Sequence, residues 1–247
     1  MLPLAATVAA ADARVLIETQ YPFGDSTARV TLVTGAREVR LRIRIPGWAD
    51  GALVDGKPAP NGTLHPIDCA AATNTTVRVE LRPSVRVELG WGDMRPPTPT
   101  NAVGVSRGPL VFALHPAETR EIVRADNSTP ARRGLANDYR ISTRATWNYA
   151  LNLSADISFV EQSSAHWMPS YAFDDSGEYP FYVRASGCRL PAWTTWNGTN
   201  ITEAPPPSPI DAGSCAGAAD PLRLVPFGAT NIRIAVFPWF RTGVDSK

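Results

Sequence analysis

The sequence predicts an all-β chain of two antiparallel, jelly-roll-like β-sandwich domains, and three observations carry that prediction. Proline is the first. Of the 247 residues 23 are Pro, each costs a helix interior ~3 kcal/mol, and the only long stretch without one runs from Ala131 to Met168. A helical bundle is thereby excluded. Apolar residues alternate with polar ones at period two in many short segments, the signature of half-buried strands. Turn residues separate those segments at the spacing of a sandwich.

The clearest strand is Glu38 to Ile45, where Val39, Leu41, Ile43 and Ile45 alternate with Arg40, Arg42 and Arg44. One face is expected to be buried and the other wet. Similar alternation marks Ala28 to Thr34, Thr76 to Arg82 and Ser84 to Leu89. Asp55-Gly56 is a hairpin signal, and Val103 to Val105 and Leu110 to Leu114 flank Arg107-Gly108-Pro109. The pattern loosens after His115, in a polar stretch to Asn137 that includes Arg132-Arg133-Gly134. A boundary is expected there, with domains at residues 1–116 and 117–247. Alternation returns in Asp138 to Thr143, Tyr149 to Leu153, Ile157 to Val160, Phe181 to Ala185, Leu222 to Val225 and Ile232 to Phe237. Between the last groups, residues 194–219 contain Pro205-Pro206-Pro207-Ser208-Pro209 and suggest an extended surface loop.

Composition narrows the partners. Apolar residues make up 44% and charged residues 19%, with 24 Lys plus Arg against 23 Asp plus Glu. A net charge of +1 supplies no overall field to collect nucleic acid or anionic lipid, so no nucleic-acid partner is expected. No run reaches the ~18 apolar residues of a membrane span, and none is expected. Met1 to Ala11 is apolar, but no Lys or Arg precedes it as a signal peptide's charged region requires. It reads as a strand or tail.

Asparagine points to a compartment. Six of the ten Asn residues head an N-x-S/T triplet: Asn61, Asn74, Asn127, Asn152, Asn197 and Asn200. Composition alone would give one or two. Such acceptors belong to exposed loops of secreted or lumenal proteins, and the secretory pathway is the expected location. Thr-rich loops that generate triplets by composition are the alternative. Cys188 and Cys215 flank the Pro-rich loop, and a disulfide between them would stabilise it by roughly 3 kcal/mol. Three buried thiols, with Cys69, are the other reading.

Several segments, read in order, resemble one family. They are Tyr21-Pro22-Phe23, Leu41-Arg42-Ile43-Arg44-Ile45-Pro46-Gly47-Trp48-Ala49, Val54-Asp55-Gly56 and Arg107-Gly108-Pro109-Leu110-Val111-Phe112-Ala113-Leu114. Trp147-Asn148-Tyr149-Ala150-Leu151, Arg189-Leu190-Pro191-Ala192-Trp193, and Leu222 to Gly228 with Arg233-Ile234 and Phe237-Pro238 follow. Over Tyr21 to Pro238 the chain resembles the non-reducing-end β-L-arabinofuranosidase-like family, glycoside hydrolase family 127. The resemblance implies a helical toroid catalytic domain first, then a middle and a C-terminal β-sandwich. Only the two sandwiches have counterparts here. In the family a zinc-bound cysteine thiolate with a nearby glutamate, both on the helical domain, is held to do the chemistry. No catalytic residue, metal ligand or cofactor is therefore carried onto this chain. The implied role is to support a helical catalytic domain in cis or in trans, or to help form a homodimer. Tyr21, Phe23 and Trp48, aromatics at loops and strand ends, are the candidate domain-interface residues.

Candidate chemistry within the chain is sparse. Glycoside hydrolysis usually needs two facing carboxylates, and the one tight acidic group, Asp174, Asp175 and Glu178, lies in a turn-like Asp-Asp-Ser-Gly-Glu segment. His65, Asp68 and Cys69 are the nearest approach to zinc-ligand spacing and lack a second pair. His115 and His166 stand alone. Arg40, Arg42 and Arg44 would suit a planar anion, but Arg outnumbers Lys 22 to 2 throughout, and a solvated face accounts for the stripe. Trp193 and Trp196 are the candidate sugar-stacking pair, for a stand-alone carbohydrate-binding module, although packing is the commoner fate of Trp. A structural or vestigial chain without ligand is the remaining alternative.

Overall fold

The computed structural model describes residues 4–10, 13–19, 21, 26–90, 100–125, 137–162, 179–195 and 202–242. Among them, strands dominate and the helical turns are two short 3-10 segments, Ala212–Ser214 and Phe227–Ala229. The fold is all-β. It divides into two compact units, one of Met1–Ser84 with Arg107–Pro109 and one of Val85–Ser106 with Leu110–Lys247.

The first unit contains β1 (Leu4–Ala10), β2 (Ala13–Thr19), β3 (Thr27–Thr34), β4 (Val39–Arg44), β5 (Leu53–Val54), β6 (Lys57–Pro58), β7 (Leu64–Cys69) and β8 (Asn74–Glu80). Six of these form one antiparallel sheet in the order β1-β2-β3-β8-β5-β6, and β4 pairs with β7 as a second sheet. The core lies between the two. Val30, Val54, Val77 and Val79 of the large sheet share one apolar cluster with Ile45, and Leu41, Ile43 and Ile67 of the β4–β7 pair pack against it. Alternation along β4 is realised as read: Val39, Leu41 and Ile43 are half-buried while Arg40, Arg42 and Arg44 are exposed. At the Asp55-Gly56 turn both residues have positive φ, 48° and 74°, the pattern of a type I′ hairpin. Asp55 locks it by accepting from Arg78 N–H at 2.8 Å while its own N–H donates to Arg78 O at 2.8 Å. At the end of β8, largely buried Glu80 accepts from Arg82 Nη2 at 2.7 Å and pairs with Arg78 Nε at 3.2 Å.

The second unit is built on one eight-stranded sheet. Its strands are β9 (Val85–Leu89), β10 (Val103–Arg107), β11 (Leu110–Leu114), β14 (Tyr149–Asn152), β15 (Ser158–Glu161), β16 (Phe181–Arg189), β17 (Ala216–Pro226) and β18 (Trp239–Phe240). The order is β18-β14-β16-β17-β11-β10-β9, with β15 also on β16. β14 runs parallel to β18 and antiparallel to β16. Phe112, Phe181, Phe237, Leu151, Val183 and Leu224 are fully buried, and Phe112 meets Phe181 edge-on at 6.3 Å between ring centroids. Gly187 is required where strands crowd: a Cβ there would lie 2.7 Å from Ala150 O. A separate antiparallel ribbon joins β12 (Glu118–Arg124) to β13 (Asp138–Thr143), with a bulge between Ile122 and Arg124.

Two expectations change. The compact units part at Ser84/Val85 and not at residues 116 and 117, because β11 pairs with β17 and so joins the later strands in one sheet. The polar stretch that suggested a boundary begins with the exposed strand β12. Ile232 to Phe237 is not a continuous strand; it makes isolated bridges, Ile234 to Leu114 and Phe237 to Val103.

Candidate functional site

Trp193 is not a sugar platform. Its side chain is 2% exposed, its Nε1–H donates to Glu203 O at 3.0 Å, and its ring meets Trp147 edge-on at 5.2 Å. Asn148 Nδ2 fastens the same corner by donating to Leu190 O at 2.9 Å and Trp193 O at 3.0 Å. A buried indole offers no face to a sugar ring, so Trp193 acts as a packing anchor. Trp196 lies outside the described residues. Nearby, Cys188 and Cys215 form a disulfide with Cα atoms 5.6 Å apart and a sequence separation of 27. Closing a loop of that length stabilises the fold by about 3.5 kcal/mol in the chain-entropy view. Cys69 is a buried free thiol.

Strand geometry separates the would-be metal ligands. His65 and Cys69 point to one side of β7 and Asp68 to the other, because side chains alternate along a strand. Asp68 is instead taken by Arg40 across the β4–β7 pair, through Nε to Oδ1 and Nη2 to Oδ2. That hydrogen-bonded guanidinium holds the Asp68 carboxyl below its ordinary range. An open hollow of about 500 Å³ lies here, lined by Glu38, Val39, Arg40, Asp68, Cys69 and Ala70. Among the described residues, no group of three or more His, Cys, Asp or Glu side chains converges as a metal site would need. Arg42 and Arg44 face solvent opposite Pro66 and Leu64. Asp174, Asp175, Glu178 and His166 lie outside the described residues.

Of the interface candidates, Phe23 also lies outside them. Trp48 is half-buried and packs against the first unit's core, with ring atoms 3.5 Å from where a Gly108 Cβ would stand. The turn's φ of +58° favours Gly at position 108, since an L side chain is strained there. Tyr21 is partly buried; burial pushes its phenol up in pKa, against the opposing charge of Arg107.

Three triplet asparagines can be placed. Asn61 is exposed, yet its Nδ2 donates to Gly47 O at 3.1 Å and to Asp50 Oδ1 at 2.5 Å. Asn74 is exposed at the start of β8. Asn152 is half-buried in β14 and its Oδ1 accepts from Ser154 N–H at 2.9 Å. Asn127, Asn197 and Asn200 lie outside the described residues.

One constellation escaped the sequence reading. His115 Nδ1 and the Tyr179 hydroxyl are 2.9 Å apart, and that hydroxyl donates to Ala229 O at 3.1 Å. His115 Nε2 lies 3.4 Å from Glu118 Oε2. Glu118 also accepts from Asn231 Nδ2 at 2.9 Å, Arg120 Nε at 3.2 Å and Ile232 N–H at 3.3 Å. Burial alone would raise the Glu118 carboxyl, but these donors outweigh it and hold it below its ordinary value. Side-chain exposures of 13% for His115 and 8% for Glu118, with Tyr179 at 4%, make this a largely buried group. The relay is a brace that ties the root of β12 to the segment after β17. Only the i, i+3 spacing of His115 and Glu118 is visible in sequence; Tyr179 and Asn231 are brought in by the fold.

Comparison with known proteins bears on the fold. No family model matches the chain, and no curated protein matches it. Among solved structures, the fold is similar to that of a protein titled a glycoside hydrolase, with 18% identity and a TM-score of 0.54 over 96% of this chain and 34% of that one. A family 127 β-L-arabinofuranosidase from Geobacillus stearothermophilus T6 also matches, with 18% identity and a TM-score of 0.47 over 95% of this chain and 32% of that one. The chain is therefore similar in fold to part of a protein titled a glycoside hydrolase, and it spans about a third of the length of each of these two structures.

Proposed function

We propose that this chain is the noncatalytic β-sheet portion of a family 127-like glycoside hydrolase, acting in carbohydrate metabolism by supporting a helical catalytic domain. The observation that supports this most is the fold likeness over 96% of this chain but only 34% of a glycoside hydrolase. The ordered segments from Tyr21 to Pro238 that resemble the same family agree with it. The buried state of Trp193 counts against a stand-alone carbohydrate-binding module centred on that residue. The helical domain is supplied in cis or in trans, a homodimer is a further arrangement, and the zinc belongs to the helical domain and not to this chain. The six triplet asparagines support a secretory location. Assay of the purified chain on a chromogenic β-L-arabinofuranoside is expected to show no turnover. Steady turnover that survives repurification and disappears with Asp175→Asn would overturn the reading.

A further inference from the structure

We propose that Asn74 is a site of N-linked glycosylation, and that Asn61, in the same kind of triplet, is held by the fold in a form that excludes a glycan. The proposal rests on the secretory reading above. Its chemistry is a transfer from a polyprenyl-diphosphate-linked oligosaccharide. A bond forms between the first sugar's C1 and the Asn Nδ2, the C1–O bond to the diphosphate breaks, Nδ2 gives up one proton, and the polyprenyl diphosphate leaves. No oxidation state changes. The product amide keeps one N–H where the free carboxamide had two.

That proton count separates the two residues. Asn61 uses both N–H groups, one on Gly47 O at 3.1 Å and one on Asp50 Oδ1 at 2.5 Å. These bonds span the loop between β4 and β7, in which Ala49 and Ala52 enter the first unit's core. A sugar on Nδ2 removes one of the bonds and needs the space that its acceptor fills. A folded molecule with a glycan on Asn61 must give up this loop geometry. Asn74 has no such commitment. It is the first residue of β8 and alternates with the core-facing positions, sharing an exposed face with Thr76 and Arg78 while Val77 and Val79 are buried. Among the described residues its carboxamide makes no hydrogen bond. Across the ladder stands Val33, 43% exposed, an apolar neighbour on the same outer face. Thr76 of the triplet is exposed as well, and among the described residues its hydroxyl is bonded to the Thr31 hydroxyl alone, at 3.1 Å.

The test is secretion of the full chain from a eukaryotic host behind a heterologous leader, which brings every triplet to the transferase whatever the natural location. Enzymatic deglycosylation in heavy-oxygen water then marks formerly glycosylated Asn residues for peptide mapping. The secreted protein is expected to be marked at Asn74 and unmarked at Asn61, with any Asn61 glycan confined to the retained, misfolded fraction. Asn74→Gln should remove one glycan's mass. Thr63→Ala destroys the Asn61 triplet while keeping its carboxamide, and should remove none. An unmarked Asn74 in secreted protein, or equal marking at Asn61, overturns the proposal. Failure of the secretory reading shows separately, as a natural product located in the cytosol while the site pattern holds.

Discussion

The β4–β7 pair and the β12–β13 ribbon are both two-stranded antiparallel sheets, but the first is part of a core and the second is not. In β4 every second residue is half-buried and packs toward the large sheet. In β12 all residues after Glu118 are exposed, including Ile122 at 53% and Val123 at 56%. An isolated two-stranded hairpin is marginal in water, and the ribbon's own cross-strand pairs, such as Arg140 with Glu121 at 3.3 Å and Arg124 with Asp138 at 2.9 Å, are exposed. Each exposed pair contributes little. The lesson is that the first pair is held by burial, and the second by the polar brace at its root.

Breaking the first pair should have the largest effect. Ile45 is fully buried and continues the β4–β7 ladder by donating its N–H to Thr63 O at 2.9 Å. Ile45→Ala should cost about 4 kcal/mol from lost burial and the cavity left behind, read as a lowered denaturation midpoint for the first unit. A loss under 1 kcal/mol would mean that the pair does not depend on this core.

The ribbon should respond to its brace. Glu118→Ala leaves the Asn231 amide and the Ile232 N–H without their acceptor, and should cost roughly 2 kcal/mol, concentrated in β12 and β13. Faster amide exchange there with unchanged exchange in β4 is the expected pattern; uniform acceleration would show that the ribbon is part of the general core.

Acid should reproduce part of that loss. Because the folded Glu118 carboxyl lies below its ordinary value, its contribution is fully present above the unfolded value of about 4.3. The contribution disappears as pH falls through the folded value. Ribbon protection should therefore decline in acid in the natural chain, and the Glu118→Ala variant should lack that component of the decline.

The smallest effect belongs to the ribbon's apolar surface. Ile122→Ser should change stability by no more than about 0.5 kcal/mol, as for an exposed substitution away from a core. A change of several kcal/mol would place Ile122 in a covered interface.

The same contrast explains what the sequence revealed. β3, β4 and β13 match their expected ranges closely, and β3 and β4 have one buried face and the alternation that burial imposes. β7 has no clear sequence signal because Pro66 interrupts it, yet a proline is tolerated where its missing N–H faces away from the ladder. β12 falls in the polar stretch where a boundary is expected, because exposure on both faces removes any pressure to alternate. The first half of β17, from Ala216 to Pro221, is exposed throughout and was hidden for the same reason. At the level of sites, the packing of Trp193 against Trp147 and Asn148 and the joining of His115 to Tyr179 are made by residues far apart in sequence, beyond what local spacing encodes.

The central claim is that these sheets serve a catalytic domain they do not themselves contain. Sequencing the natural transcript across the Met1 codon, together with affinity purification of the chain from its own cells, tests it most directly. The account predicts either an in-frame helical hydrolase domain upstream or a helical hydrolase chain that copurifies in stoichiometric amount. A transcript without such a domain and a purified chain without such a partner would contradict it.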